Sequence, residues 1–269
     1  SRTDAQWAAI IDETEHSLHI RRDSYPYPAV HSPAFSKTID HTLLKLDAQV
    51  DQFRELCSET KAERFATVCV RPAQVEACVA ELRGTEVGVA SVIGFHEGTY
   101  ETRHKAQHTA AAVSSGATEL DVVINYPQLK AGAYALVHEE LCALREHARA
   151  QGDRVVVLKL ILETSQLDRR QIVAGCVLAA HSGFQYVKTS TGFNGAGATE
   201  DDVRLMAACC DRLVGDGSGD GKMLVKASGG IRTLAAAVQM LEAGASRLGT
   251  SAGMTIVKEA RQWAADGAN

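Results

Sequence analysis

Three apolar stretches of this 269-residue chain each carry one lysine. Lys159 sits in Val155-Val-Val-Leu-Lys-Leu-Ile-Leu-Glu163, Lys188 in Tyr186-Val-Lys-Thr-Ser-Thr-Gly192, and Lys226 in Met223-Leu-Val-Lys-Ala-Ser-Gly-Gly230. A single lysine in such a place is ordinarily on a solvated strand face, because lysine is seldom fully buried. From Lys159 to Lys188 is 29 residues and from Lys188 to Lys226 is 38, each the length of one strand, one helix and two loops. Neighbouring parallel strands then bring Lys188 and Lys226 together. Two ammonium groups about 5 Å apart at an effective dielectric of about 20 repel by about 3 kcal/mol, or about 2 pKa units. A lysine moved from about 10.4 to about 8 is neutral roughly a tenth of the time at pH 7, which makes it a nucleophile able to form a Schiff base. Spacing alone does not say which lysine that is.

Acids and small polar residues fall where they can serve such an amine. In Glu119-Leu-Asp-Val-Val-Ile-Asn125 the period of two puts Asp121, Val123 and Asn125 on one face. A carboxylate facing inward there needs a counter-charge, which Lys159 or Lys226 supplies; the alternative is a purely structural ion pair. In Thr38-Ile-Asp-His-Thr-Leu-Leu44, Asp40 and Thr42 share a face and can order a substrate hydroxyl or a water. Cys69, within Ala66-Thr-Val-Cys-Val70, reads as core or as a small residue leaving room for substrate. Two loops, Ser228-Gly-Gly-Ile-Arg232 and Gly249-Thr-Ser-Ala-Gly253, each stand just before a helical segment and offer bare NH groups and Ser251 to an anion.

These residues require elements to hold them. From Lys37 onward strands and helices alternate, with strands expected near 37–44, 65–70, 87–93, 119–125, 154–162, 184–190, 223–228 and 246–249. Helical patterns between them include Val50 to Glu63, Ala73 to Arg83 and Glu101 to Ser115. Alternation of this kind means a parallel sheet, and eight units predict a (β/α)₈ TIM barrel of the α/β class, with an open doubly wound sheet as the alternative. A barrel puts the site at the C-terminal strand ends and favours phosphate at its last two loops. Ahead of it, Trp7, Ile10, Ile11 and Leu18 share a helical face, and Tyr25-Pro-Tyr-Pro-Ala-Val-His-Ser-Pro33 reads as an extended linker. The expected organisation is an N-terminal helical extension over residues 1–36 and a catalytic barrel over 37–269.

Composition bounds the partners. A net charge of −5 supplies no basic field for nucleic acid or an anionic membrane, and no run of 18 apolar residues is present. Seven scattered cysteines form no Cys-x-x-Cys pair, and Ser1-Arg-Thr-Asp4 does not read as a secretory signal, so a reducing, cytoplasmic setting is expected. Asp216-Gly-Ser-Gly-Asp-Gly221 imitates a calcium loop, but its twelfth position is Ala227 in place of Glu, which leaves a surface loop. His104 and His108 have metal spacing, yet a barrel's helices lie away from its chemistry, so no metal is expected.

The residues quoted above, with Lys159-Leu-Ile-Leu-Glu-Thr164 and Arg247-Leu-Gly-Thr-Ser251, resemble the deoxyribose-phosphate aldolases over about residues 37 to 260. That resemblance implies a class I aldolase without metal or other cofactor, cleaving 2-deoxy-D-ribose 5-phosphate reversibly into acetaldehyde and D-glyceraldehyde 3-phosphate. It implies that Lys188 forms the Schiff base, Lys226 lowers its pKa, Asp121 moves protons and Lys159 supports Asp121. It places Asp40, Thr42, Cys69 and Thr191 beside the substrate, and Gly192, Gly229, Gly230, Gly249 and Ser251 around its phosphate. Three places depart from some relatives: Phe193 replaces a phosphate-facing lysine, Ala252 replaces a second serine, and the stretch 262–269 lacks a terminal tyrosine. The same lysines would serve another Schiff-base barrel enzyme, distinguished by its donor, while a silent phosphosugar-binding barrel would trap no carbonyl compound. An outward barrel helix would support a homodimer, although no residue demands one.

Overall fold

Short runs too brief for helices, most of them aliphatic and bounded by glycine or polar turns, form eight strands, and a computed structural model describes them within residues 2–152, 155–214 and 221–267. They are β1 (Ile39–Thr42), β2 (Thr67–Val70), β3 (Gly88–Ile93), β4 (Glu119–Val123), β5 (Val157–Ile161), β6 (Tyr186–Lys188), β7 (Leu224–Ser228) and β8 (Arg247–Thr250). All neighbours are parallel and β8 closes on β1, so the sheet is a closed (β/α)₈ barrel, not an open one. The helices before β4 are α1 (Asp4–Ser17), α2 (Pro33–Ser36), α3 (Val50–Glu63), α4 (Val75–Glu81) and α5 (Thr102–Ser114). After β4 come α6 (Tyr126–Lys130), α7 (Tyr134–Arg149), α8 (Arg169–His181), α9 (Glu200–Arg212), α10 (Leu234–Glu242) and α11 (Gly253–Ala265).

Alternation along each strand divides the core in two. Outward residues such as Leu120, Val122, Leu158, Leu160, Val187, Val225 and Leu248 pack beneath the helices. Inward, Cys69, Ala90, Val92, Val123 and Ile161 join Leu44 and Phe95 in a smaller apolar cluster. The rest of the interior is ionic. Register pairs Asp121 with Lys159 across β4 and β5, and Lys188 with Lys226 across β6 and β7, so the expected meeting of those two lysines is built into the sheet.

Element ends differ from expectation for local reasons. β4 stops at Val123 because the Asn125 side chain accepts from the Gln128 N–H and caps α6, so Asn125 does not continue the inward face. The helix expected over 73–83 begins as a 3₁₀ turn at Pro72–Gln74 before α4. β6 is only three residues long, since Thr189 donates its hydroxyl to Ser228 O and starts a loop. His104 and His108 are exposed on α5, and among the described residues no group of side chains is arranged to hold a metal. The stretch 216–220 lies outside the described residues. No described helix is long and apolar enough to cross a membrane.

Thr3 and Gln6 form a capping box that starts α1. Its Trp7 and Ile11 are fully buried, with Ile10 and Leu18 packed partly against the same core, and it lies on α7, α8 and α9 outside the barrel. The linker that follows is stitched down by Tyr25 N–H to Glu242 O at 2.9 Å and Tyr25 OH to Asp211 at 2.9 Å.

Candidate active site

Strand parity sends Asp40, Glu119, Asp121, Lys159, Lys188, Lys226 and Arg247 toward the barrel axis. Asp121 is the hub. Its Oδ1 accepts from Lys159 Nζ at 2.7 Å, and its Oδ2 accepts from both Lys188 Nζ and Lys226 Nζ at 2.7 Å. Lys226 has a second carboxylate, Asp40, at 2.5 Å; Lys188 has none among the described residues. Below them Lys159 also meets Glu119 at 2.5 Å, and Arg247 spans Asp40 at 2.6 Å and Glu119 at 3.4 Å. Buried charges persist only when paired in this way.

The pairing separates the lysines. Burial lowers the pKa of Lys188 below the ordinary lysine value; Asp121 opposes this, the Lys226 charge adds to it, and the balance stays low. Burial pushes Lys226 the same way, but Asp121 and Asp40 together outweigh it and hold that ammonium above the ordinary value. Lys159 is likewise held above the ordinary value, by Asp121, Glu119 and Asp40 against its burial. Burial alone would raise both aspartates, yet the surrounding cations keep Asp40 and Asp121 well below the usual carboxylate range. With Lys188 set aside, three carboxylates, Asp40, Glu119 and Asp121, face three cations, Lys159, Lys226 and Arg247. A proton on Lys188 is the surplus charge of the set.

Above this layer a cavity of about 230 Å³ opens at the C-terminal strand ends. Thr42, Lys188, Thr191, Gly192, Gly229, Gly230, Gly249 and Ser251 line it, which brings together eight of the expected site residues. Lys45 and Arg232 also line it, and among the described residues no carboxylate does, so its mouth favours an anion. Gly249 is required sterically: a Cβ there would stand 2.9 Å from Ser228 Cβ and 3.0 Å from Lys226 Cε, closing the path that Lys226 takes to the hub. Gly229 has φ +88°, and its Cβ would meet Gly197 Cα at 2.8 Å. α11 begins after Ala252 with no side-chain cap, leaving first-turn N–H groups for an anion beside Ser251.

The remaining expected residues lie deeper. Cys69 is fully buried with Sγ 3.9 Å from Asp121 Oδ2, and burial and Asp121 push its thiol pKa up, so it stays protonated. Asp40 is fully buried too. Its oxygens are taken by Lys226 and Arg247, so it fixes the second lysine and does not line the cavity. Thr42 shares its strand face and does reach the cavity, its hydroxyl donating to Asp40 O at 2.9 Å.

Three residues of the assembly go unmarked in the sequence reading. Glu119 and Arg247 each stand two places from a residue that was marked, Asp121 and Gly249, and the same parity argument finds them. Glu163 ends the Lys159 stretch in a left-handed conformation, φ +59°, and accepts from Thr191 N–H at 3.1 Å and Thr191 Oγ1 at 2.5 Å. No periodicity signals that turn.

Residues 35–259 match the model of the DeoC/LacD family aldolases. The chain belongs to that family. A deoxyribose-phosphate aldolase of Coccidioides immitis is 46% identical over 97% of this chain and 94% of its own length. One from Thermotoga maritima is 42% identical over 91% of this chain and 94% of its own. Among solved structures, a C. immitis protein described as a candidate deoxyribose-phosphate aldolase superposes with TM-score 0.89 at 47% identity, covering 97% of this chain and 99% of that one. The tetrameric deoxyribose phosphate aldolase of Aeropyrum pernix gives 0.76 at 30% identity, over 86% of this DeoC/LacD chain and 92% of its own.

Proposed function

We propose that this protein is a class I aldolase that reversibly cleaves 2-deoxy-D-ribose 5-phosphate to acetaldehyde and D-glyceraldehyde 3-phosphate. The observation that carries the mechanism is the shared Asp121 oxygen: two lysines touch it at 2.7 Å, and only Lys226 has a further carboxylate. Lys188 is therefore the amine that gives up its proton, and Lys226 the ammonium that stays charged beside it. Neutral Lys188 adds to the substrate aldehyde, and the carbinolamine loses water to an iminium. Removal of the proton from the C3 hydroxyl then breaks the C2–C3 bond, with the electron pair drawn into an enamine on Lys188 and glyceraldehyde 3-phosphate released. Protonation of the enamine carbon and addition of water return acetaldehyde and the free amine. Asp121 touches both lysines and can relay these protons, with Lys159 holding it in place. Thr42, Thr191 and the small inward Cys69 shape the space for the sugar, Asp40 fixes Lys226, and Gly192, Gly229, Gly230, Gly249 and Ser251 hold phosphate with Arg232 and Lys45 nearby. No step asks for a cofactor.

Residues 37–269 form the catalytic unit on this reading and residues 1–36 an added segment. The enzyme acts in the cytoplasm, a setting in keeping with seven unpaired thiols, and an outward barrel helix offers a surface that would support a homodimer.

The test is covalent. Acetaldehyde followed by borohydride should add roughly one ethyl group per chain, at a dose where surface lysines of pKa near 10.4 react little. Peptide mapping should put it on Lys188. Lys188→Arg should lose both label and turnover, because a guanidinium stays charged. A label on Lys226, or turnover sustained by a chelatable metal without any label, would overturn the assignment.

A further inference from the structure

Three loops meet around a carboxylate that touches neither lysine of the pair. Glu163 is 1% exposed and follows β5 in the left-handed region at φ +59°, a conformation a residue with a side chain keeps only where its surroundings fix it. Its Oε1 accepts from Thr191 N–H at 3.1 Å; its Oε2 accepts from Thr191 Oγ1 at 2.5 Å and from Asn194 Nδ2 at 3.1 Å. The same Asn194 amide donates to His96 O at 2.7 Å in the loop after β3. Asn194 O in turn accepts from Ser165 Oγ at 3.0 Å and Gln166 Nε2 at 2.8 Å. Between these anchors lies Phe193, 48% exposed on the cavity rim, its N–H bonded to Thr191 Oγ1 and its ring stacked on His96 and edge-on to Phe95.

We propose that Glu163 is a positioning residue that sets how tightly the cavity takes the phosphorylated sugar, by locking the Thr191-Gly192-Phe193 segment to the loops after β5 and β3. This rests on the aldolase reading above. Each of the three bonds to Glu163 needs an acceptor there, since Thr191 N–H, the Thr191 hydroxyl and the Asn194 amide all donate. Glutamine keeps the length but turns one oxygen into a donor, which faces the Asn194 amide and the Thr191 hydroxyl. Thr191 then loses its anchor at Glu163, leaving the segment held only through Asn194, while the lysine layer below, built from Asp121, Asp40 and Glu119, keeps its contacts. Imine formation at Lys188 and recognition of the long phosphosugar should therefore separate: a two-carbon aldehyde needs only the amine, and the phosphosugar needs the rim.

The experiment measures both in Glu163→Gln and Asn194→Ala. For Glu163→Gln the KM for 2-deoxyribose 5-phosphate should rise about tenfold or more, with the rate of borohydride trapping of acetaldehyde within about twofold of the parent. Asn194→Ala removes one donor, leaves the Thr191 contact and should raise KM about threefold; it keeps the test open if Glu163→Gln does not fold. Parental KM in a folded Glu163→Gln protein would overturn the proposal, and so would a trapping rate that falls in step with kcat/KM, because Glu163 would then serve the nucleophile. A parent protein that does not trap acetaldehyde would remove the aldolase reading and this proposal with it; a parent that traps, beside a variant with parental KM, removes this proposal alone.

Discussion

Lys188 and Lys226 occupy the same register position on neighbouring strands and share one oxygen, so their difference comes from what else each can reach. Of the two lysines, Lys226 is the one that Asp40 contacts, and Arg247 holds Asp40 in place from β8. Removing Lys226 has a definite sign. Without its ammonium, Lys188 loses a repelling neighbour, and Asp40 and Asp121 lose a cation, so both changes make Lys188 hold its proton to higher pH. The neutral amine is the reactive form, so Lys226→Leu should be most impaired near neutrality and should recover as pH rises. A deficit that stays constant in a pH–rate profile from about pH 7 to about pH 10 would remove Lys226 from this role. The sequence made the pair of lysines legible, through apolar neighbours and βα spacing. Their separate roles were not legible from spacing, because the direction in which Asp40 points depends on the closure of β8 against β1, some two hundred residues apart in the chain.

Among elements, the loops after β7 and β8 carry the anion end of the cavity. Gly230 has φ +80° and nothing within 4 Å of where a Cβ would stand, so a side chain there projects into open space at the mouth. Gly230→Glu should raise the KM for the phosphorylated sugar at least about tenfold by placing a carboxylate against the incoming phosphate, whereas Gly230→Ala carries the same backbone strain without the charge and should change it less. Steady-state kinetics on both variants checks this, and an unchanged KM in Gly230→Glu would place the phosphate elsewhere. Strand count and helix order could be read from hydrophobic period because most strands turn aliphatic residues outward and most helices carry an apolar stripe. Their ends could not. Asn125 turns from strand to cap, Pro72 starts a 3₁₀ turn, and Glu163 adopts a left-handed turn, each decided by a side-chain hydrogen bond or a ring constraint that period does not encode.

At the scale of the whole molecule, α1 is part of the core. Every residue of α8 from Ile172 to Ala180 is buried, an all-round burial that a barrel helix reaches only when something covers its outer side, and α1 covers it with Trp7 and Ile11. Trp7→Ala should cost about 3–5 kcal/mol and lower the melting temperature while leaving kcat intact wherever the protein is folded. Calorimetry tests this, and a parental melting temperature would show α1 to be dispensable. The ionic interior carries a different consequence. Its carboxylates come from β1 and β4, and its cations from β5, β6, β7 and β8, so the first half of the barrel turns an acidic inner face to a basic one. Neither half can bury that face alone, because each holds only one sign of charge. The halves are complementary, as plug and socket are, and a barrel assembled by doubling either one would set like charges against each other. Its ancestry by fusion of two equal half-barrels would require the charges to have diverged after the joining.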